Sequence, residues 1–282
     1  KDKPIVSFEL DNIEFVNVRD RIYFAIEFIK TNRKLKKYYW VDTPIDNMYD
    51  ADDMIKAIIS HPLINSVRLE NCFGANVNGY DILRSLLASN KRFLTIDLIQ
   101  SNNIRTMGGT EIPDYLASNP PLENLTLTNN HLNDDDMTLI AHGLKRNTTL
   151  QALHIGGNDI TDIGSNVLLA AVFDSKSLNS VSDSNHSCAI EGIDLGNIPH
   201  NYSNCNRETR GRKIKHLLSS RNRDGVNVYH LNLEFKEDSL KLVPHVLMAI
   251  YCNSRWYGDR NPNYVHPLSI MYEILRSWKM PT

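Results

Sequence analysis

The chain has 282 residues, a formal net charge of −2 and 41% hydrophobic residues, enough apolar material for a substantial core. That balance excludes binding driven by overall attraction to nucleic acid or to an acidic membrane, and with no apolar run of about 18 residues there is no membrane-spanning segment to expect. The four cysteines, Cys72, Cys188, Cys205 and Cys252, follow no C-x-x-C or Cys/His spacing, so neither a metal, a cofactor nor a disulfide framework is expected. A reducing, intracellular compartment is favoured over secretion, and the opening Lys1, Asp2, Lys3, Pro4 does not read as a signal peptide.

Phe8 and Leu10 alternate and begin a first strand. Residues 18–30 then carry Ile22, Ala25, Ile26 and Ile29 at helical spacing. The pair returns as Tyr38 and Trp40, as Val67 and Leu69, and as Ile96 and Leu98, with helical segments at 53–60 and 80–89 between them. Pro113 stands near the start of a helix running to Ala117, where a missing N–H costs little. Leu122, Leu125, Leu127, Asn130 and Leu132 spell L-x-x-L-x-L-x-x-N-x-L, and Leu150, Leu153, Ile155, Asn158 and Ile160 spell it again 28 residues later. Helices are expected at 134–145 and 162–173, with Asp134 and Thr161 or Asp162 as N-caps. Val181 follows Leu153 by 28 and marks the next expected strand.

Six offsets of 28 to 30 residues define a repeat whose units bury their apolar faces only against one another. A full helix in each unit implies a parallel sheet on a concave face and helices on a convex one. Strand, turn Asn or Cys, then helix, at this period, resembles the ribonuclease-inhibitor type of leucine-rich repeat. Cys72, Asn130 and Asn158 hold the turn position, with Thr43 and Ser101 replacing it in two units. The resemblance covers residues 1–187. It implies an α/β solenoid, a horseshoe or arc with about seven or eight strands, and protein ligands. Stretches at 177–188 and 214–221 also resemble a group of algal leucine-rich-repeat proteins, a likeness that implies no activity.

The rule breaks after Val181, where Asp183 takes an inward position and His186 the Asn position. A strand-like segment at 190–195 comes early, and 197–206 reads as a loop. A helix follows at 207–220, Val228, Leu231 and Leu233 restore the strand frame, and helices are expected at 240–252 and 267–279. The division is therefore 1–187, regular, and 188–282, irregular last repeats with an inserted loop and a helical cap. The insertion 184–206 is either part of that cap or a recognition loop.

Candidate partner-binding residues are those pointing out of the concave sheet: Tyr39, Arg68, Asp97, Thr126, His154, Ser182 and Asn232 in one row, and Glu70, Thr128 and Glu234 in the next, beside Val41, Ile99, Gly156 and Ser184. A Ser182, His154, Asp97 triad is disfavoured, because strand spacing sets Asp97 roughly 10 Å from His154. Two basic clusters stand out: Lys30, Arg33, Lys34, Lys36 and Lys37, and a helical one with Arg207, Arg210, Arg212, Lys213 and Lys215. The expected function is a non-catalytic scaffold gripping a polypeptide by the concave face or the insertion, with no nucleic-acid partner. The alternatives are a structural subunit of a larger assembly docked through the aromatic-rich end, and a GTPase-activating module, a branch of this repeat type whose acidic tail is lacking here.

Overall fold

The structure, a computed structural model, describes residues 5–11, 18–100, 104–196, 198, 206–224, 229, 230 and 233. Seven strands form one parallel sheet in chain order: β1 (Ser7–Asp11), β2 (Lys37–Val41), β3 (Ser66–Glu70), β4 (Thr95–Ile99), β5 (Asn124–Thr126), β6 (Ala152–His154) and β7 (Ala189–Glu191). The crossovers that parallel strands require are helical. They are α1 (Val18–Thr31), α2 (Met48–Ser60), α3 (Gly79–Ala88), α4 (Glu111–Ala117), α5 (Asp134–Arg146) and α6 (Asp162–Val172), with α7 (Leu178–Asp183) added before β7 and α8 (Asn206–Arg223) following it.

The register follows the apolar pairs. Phe8 lies beside Tyr38, Tyr38 beside Val67, Val67 beside Ile96, Ile96 beside Leu125, and Leu125 beside Leu153. Tyr38, Trp40, Val67, Leu69, Ile96, Leu98, Leu125 and Leu153 are all fully buried. Met54, Ile58, Ile82, Leu86, Ile112, Leu116, Ile140 and Leu144 meet them from the helices, equally buried. Each such side chain contributes roughly 1.5–3 kcal/mol by leaving water.

The next strand is not at Val181. Leu153 pairs with Ile190, 37 residues on, and Val181 is buried instead on α7. An apolar residue every 28 positions is met by a helix as well as by a strand, so spacing did not separate the two. Ser177 caps α7 by accepting from Ser180 N–H, and that cap turns the segment helical. Of the strand expected through Val228, Leu231 and Leu233, the first two lie outside the described residues, and the part described, Leu233 with Tyr229 and His230, has helical backbone instead. The helices expected at 240–252 and 267–279 lie outside the described residues.

Three helix starts are set by Asn side chains. Asn47 caps α2 and draws its start back to Met48, Asn78 caps α3, and Asn133 with Asp136 forms a capping box on α5. Each cap is worth about 1 kcal/mol. Asp134, expected to cap its own helix, serves the following one: its carboxylate accepts from Thr161 N–H and Oγ1 and from Gly164 N–H, while Thr161 Oγ1 accepts from Ile163 N–H. These bonds hold the Asp134 carboxyl below its ordinary range.

Two features recur from unit to unit without appearing in the L-x-x-L frame. The residues directly after β2, β3 and β4 are left-handed, as are their equivalents 29 and 57 residues past Gln100: Asp42, Asn71 and Gln100, then Asn129 and Gly157, have φ of 46°, 46°, 49°, 54° and 69°. At the other edge, His61 and Asn147 bracket helix-to-strand turns in the same way. His61 Nδ1 accepts from Leu63 and Ile64 N–H while Nε2 faces the Asn32 carbonyl. Asn147 Oδ1 accepts from Thr149 and Leu150 N–H while Nδ2 donates to the Leu116 carbonyl.

The chain divides into two compact units. The described parts of Lys1–Leu168 with Ser187–Leu195 make one and carry the whole sheet. The described parts of Leu169–His186 with Gly196–Thr282 make the other, in which α7 packs on α8.

Candidate binding surface

One face of the sheet buries most of its side chains; on the other, Val41 and Ser66 are buried but every strand presents at least one half-buried or exposed side chain. The register places Glu9, Tyr39, Arg68, Asp97, Thr126, His154 and Glu191 side by side across all seven strands. Adjacent members are about 4.8 Å apart along the sheet. Five of these were expected. Glu9 and Glu191 were missed, the first because the row was begun at the second strand, the second because the last strand was placed at Val181.

Ser182 is corrected: it is carried by α7 and Glu191 takes the strand position beside His154. Ser184, expected in the neighbouring row, is buried, its Oγ donating to the Ser180 carbonyl and accepting from Asp174 N–H. Asn232 and Glu234 lie outside the described residues.

Two members of the row have carboxylate partners beside them. Arg68 Nε donates to Glu70 Oε2 at 2.7 Å and its Nη2 reaches the same oxygen. His154 Nδ1 lies 3.1 Å from Glu191 Oε2. Asp97 sits between these pairs, and burial raises its carboxyl above the ordinary value. A Thr126 hydrogen bond, then the charges of Arg68 and His154, offset part of that rise. Thr128 is half-buried, its carbonyl accepting from Gln100 N–H and Asn130 Nδ2. Near the β7 end the backbones close up: Gly192, at φ +90°, would place a Cβ 2.4 Å from Gly156 N.

The turn positions are structural. Asn130 Nδ2 donates to the carbonyls of Leu98 and Thr128, and Asn158 Nδ2 to those of Leu127 and Ile155. Asn158 Oδ1 also accepts from Leu132 N–H. The amides thus tie each unit to the one before it. Thr43 replaces them with a hydroxyl on the Val41 carbonyl, and Cys72 with a buried thiol whose burial pushes its pKa far up. Ser101 lies outside the described residues.

The basic helix α8 does not present its cations as a single surface. Lys213 is fully buried, its Nζ donating to the carbonyls of Val172 and Asn185. Val172 ends α6, so the ammonium serves a helix C-terminus, where carbonyls lack partners and positive charge is favoured. Arg212 is half-buried and donates to Thr209 Oγ1, while Arg210 is exposed. Arg221, which sequence reasoning did not single out, is buried and reaches the carbonyls of Ser175 and Lys176. Arg207 belongs to α8.

The insertion 184–206 begins buried rather than as a free loop: Ser184, Asn185, His186, Ser187 and Cys188 are all inside. His186 Nε2 faces the Ser182 carbonyl, and its buried Nδ1 has no partner. Burial lowers its pKa to about 4, the Ser182 bond opposes the shift, and the Lys213 and Arg210 charges add to it. Residues 197 and 199–205 lie outside the described residues.

Among the described residues no group of three His, Cys, Asp or Glu side chains is placed to hold a metal ion, and no helix is long and apolar enough to cross a membrane. No protein-family model matches the chain, and no curated protein matches it.

Proposed function

We propose that this chain is a non-catalytic scaffold that grips a polypeptide on the open face of its sheet, with the units acting as ribonuclease-inhibitor-type leucine-rich repeats of a solenoid. The carrying observation is the unbroken row from Glu9 to Glu191, one side chain per strand, presented on a fixed backbone. A rigid row of this kind loses little conformational freedom on binding, which favours affinity over an equally polar loop. Its Arg68–Glu70 ion pair and His154–Glu191 contact are partly open to water, with side-chain exposures of 39% and 24%, and of 34% and 60%. Such pairs are weak and can be exchanged for a partner's charges at small loss. The amide and thiol turn positions and the 28- to 30-residue registers support the repeat reading.

The test is affinity purification of the intact chain from its native source, compared with an Arg68→Glu, His154→Glu variant whose thermal melting is unchanged. A polypeptide retained by the parent and lost by the variant is expected. Equal recovery by both would remove the sheet face as the binding surface.

A further inference from the structure

Charge is segregated between the two ends of the strands from β2 to β4; the next helix-to-strand turn, before β5, carries Glu123 and no cation. The helix-to-strand turns at 28–37, 60–66 and 88–95 hold no Asp or Glu, and contain Lys30, Arg33, Lys34, Lys36, Lys37, Lys91 and Arg92. The strand-to-helix turns at 42–53, 71–81 and 104–114 hold eight carboxylates against the single cation Arg105. Helix dipoles favour this sense of polarity, but only over the terminal turn of each helix. Arg33, Lys34, Lys36 and Lys37 lie beyond the end of α1.

Most of these cations have no internal task. Lys30 pairs with Glu27, and Lys91 turns back to the His61 carbonyl. Arg33, Lys34, Lys36, Lys37 and Arg92 are exposed, and among the described residues none is in an ion pair.

Aliphatic side chains project from the same edge. Ile5, Val6 and Leu63 are 50%, 48% and 44% exposed. Backbone bonds fix their place: Lys36 and Lys37 N–H donate to the Val6 carbonyl, Asn65 and Ser66 N–H to that of Lys36, and Leu94 and Thr95 N–H to that of Asn65. Val6, Lys36, Asn65 and Leu94 therefore occupy one row on successive turns. Leu63 sits on the middle turn, with the Arg33 to Lys37 cluster on one side and Arg92 on the other. At about 4.8 Å per strand, the whole array falls within roughly 15 Å.

We propose that this edge docks peripherally on a bilayer containing anionic lipid, its cations on the headgroups and Ile5, Val6 and Leu63 in the headgroup and acyl boundary. Clustered Lys and Arg beside protruding apolar side chains suit such an interface. A nucleic-acid partner is disfavoured because, among the described residues, this edge has no exposed aromatic for base stacking; Phe93 is buried. An acidic polypeptide would use the cations and leave the aliphatics unexplained. The net charge of −2 does not oppose docking, because screening confines attraction to about 8 Å and only the facing patch is felt.

The test is sedimentation of the full chain with phosphatidylcholine vesicles, with and without phosphatidylserine. Binding only to the phosphatidylserine vesicles, weakened by salt, is expected. Lys34→Glu with Lys36→Glu should reduce it by at least about 25-fold, from roughly five-fold per cation removed. Leu63→Ser, which leaves charge unchanged, should reduce it several-fold, and circular dichroism should report both variants folded. No binding, equal binding to the two vesicle types, or unaltered binding by the charge-reversed variant would overturn the proposal. Loss on charge reversal with Leu63→Ser unaffected and polyglutamate competing would also overturn it, in favour of an acidic polypeptide.

Discussion

Between β2 and β6 buried backbone groups are met mainly by the neighbouring unit; between α6 and α8 long side chains reach several of them. In the first region each turn repeats the same backbone bonds, and short amides such as Asn130 and Asn147 close what is left. In the second, one carbonyl at the end of α6, that of Ala171, is met by backbone, the Asn185 N–H, while others there and in the turns beside it are met by side chains. Lys213 and Arg221 cross to them from α8. Periodicity is thus a way of supplying hydrogen-bond partners as much as a way of stacking apolar residues. Where it stops, long cations buried to their tips take over.

The contrast can be broken from either side. The largest expected effect is in the periodic region: Leu153→Ala, in a fully buried position between Leu125 and Ile190, should cost about 3 kcal/mol, read as a lowered urea midpoint. Lys213→Met keeps the stem and removes the ammonium from two buried carbonyls. A loss of about 2 kcal/mol is expected, and an unchanged midpoint would show that those carbonyls need no cation.

Acid sharpens the same contrast. His186 has a folded pKa of about 4 against an ordinary 6.5, so between those values the unfolded chain binds more protons. Its contribution is fully present above about pH 6.5, is lost as pH falls toward about 4, and should be on the order of 2 kcal/mol. His186→Gln should flatten that slope in a pH series of melts. His61 is also lowered, first by burial and then by Lys91, with its Asn32 hydrogen bond opposing, and acts with the same sign. His61→Asn, which copies the Asn147 bracket, should keep the turn and abolish its pH dependence. The smallest effect belongs to the open face, where Arg68→Ala should cost under about 1 kcal/mol because its partner Glu70 remains in contact with water.

The sheet registers through β6 could be read in the sequence because one face of every strand must be apolar and its period is fixed by the helix it carries. The β7 position could not. Val181 satisfies the apolar spacing, and burial does not distinguish a helical valine from a strand one. Lys213 was unreadable for a related reason: a lysine on a polar helix has the same neighbours in sequence whether it meets water or a carbonyl 41 residues away. The left-handed corner was readable and overlooked. Asp42, Asn71, Gln100, Asn129 and Gly157 recur at the repeat spacing, and three of the five are Asn or Gly, residues that tolerate positive φ. On the open face, which side chains point outward followed from alternation, while their pairing depended on the true last strand.

That corner and the helix-to-strand bonds give each unit identical terminals. Lys36 O receives Asn65 and Ser66 N–H, Asn65 O receives Leu94 and Thr95 N–H, and Leu94 O receives Glu123 and Asn124 N–H. Residues 66–94 therefore run between two matching joins. Deleting them should leave a chain that folds with one strand fewer, and duplicating them one with a strand more, as read by circular dichroism and urea melts. A single-residue insertion has no such freedom, since it would rotate every later side chain of its strand to the opposite face. Changes of length are thus expected to be tolerated only in whole units, because only those keep the geometry of each join.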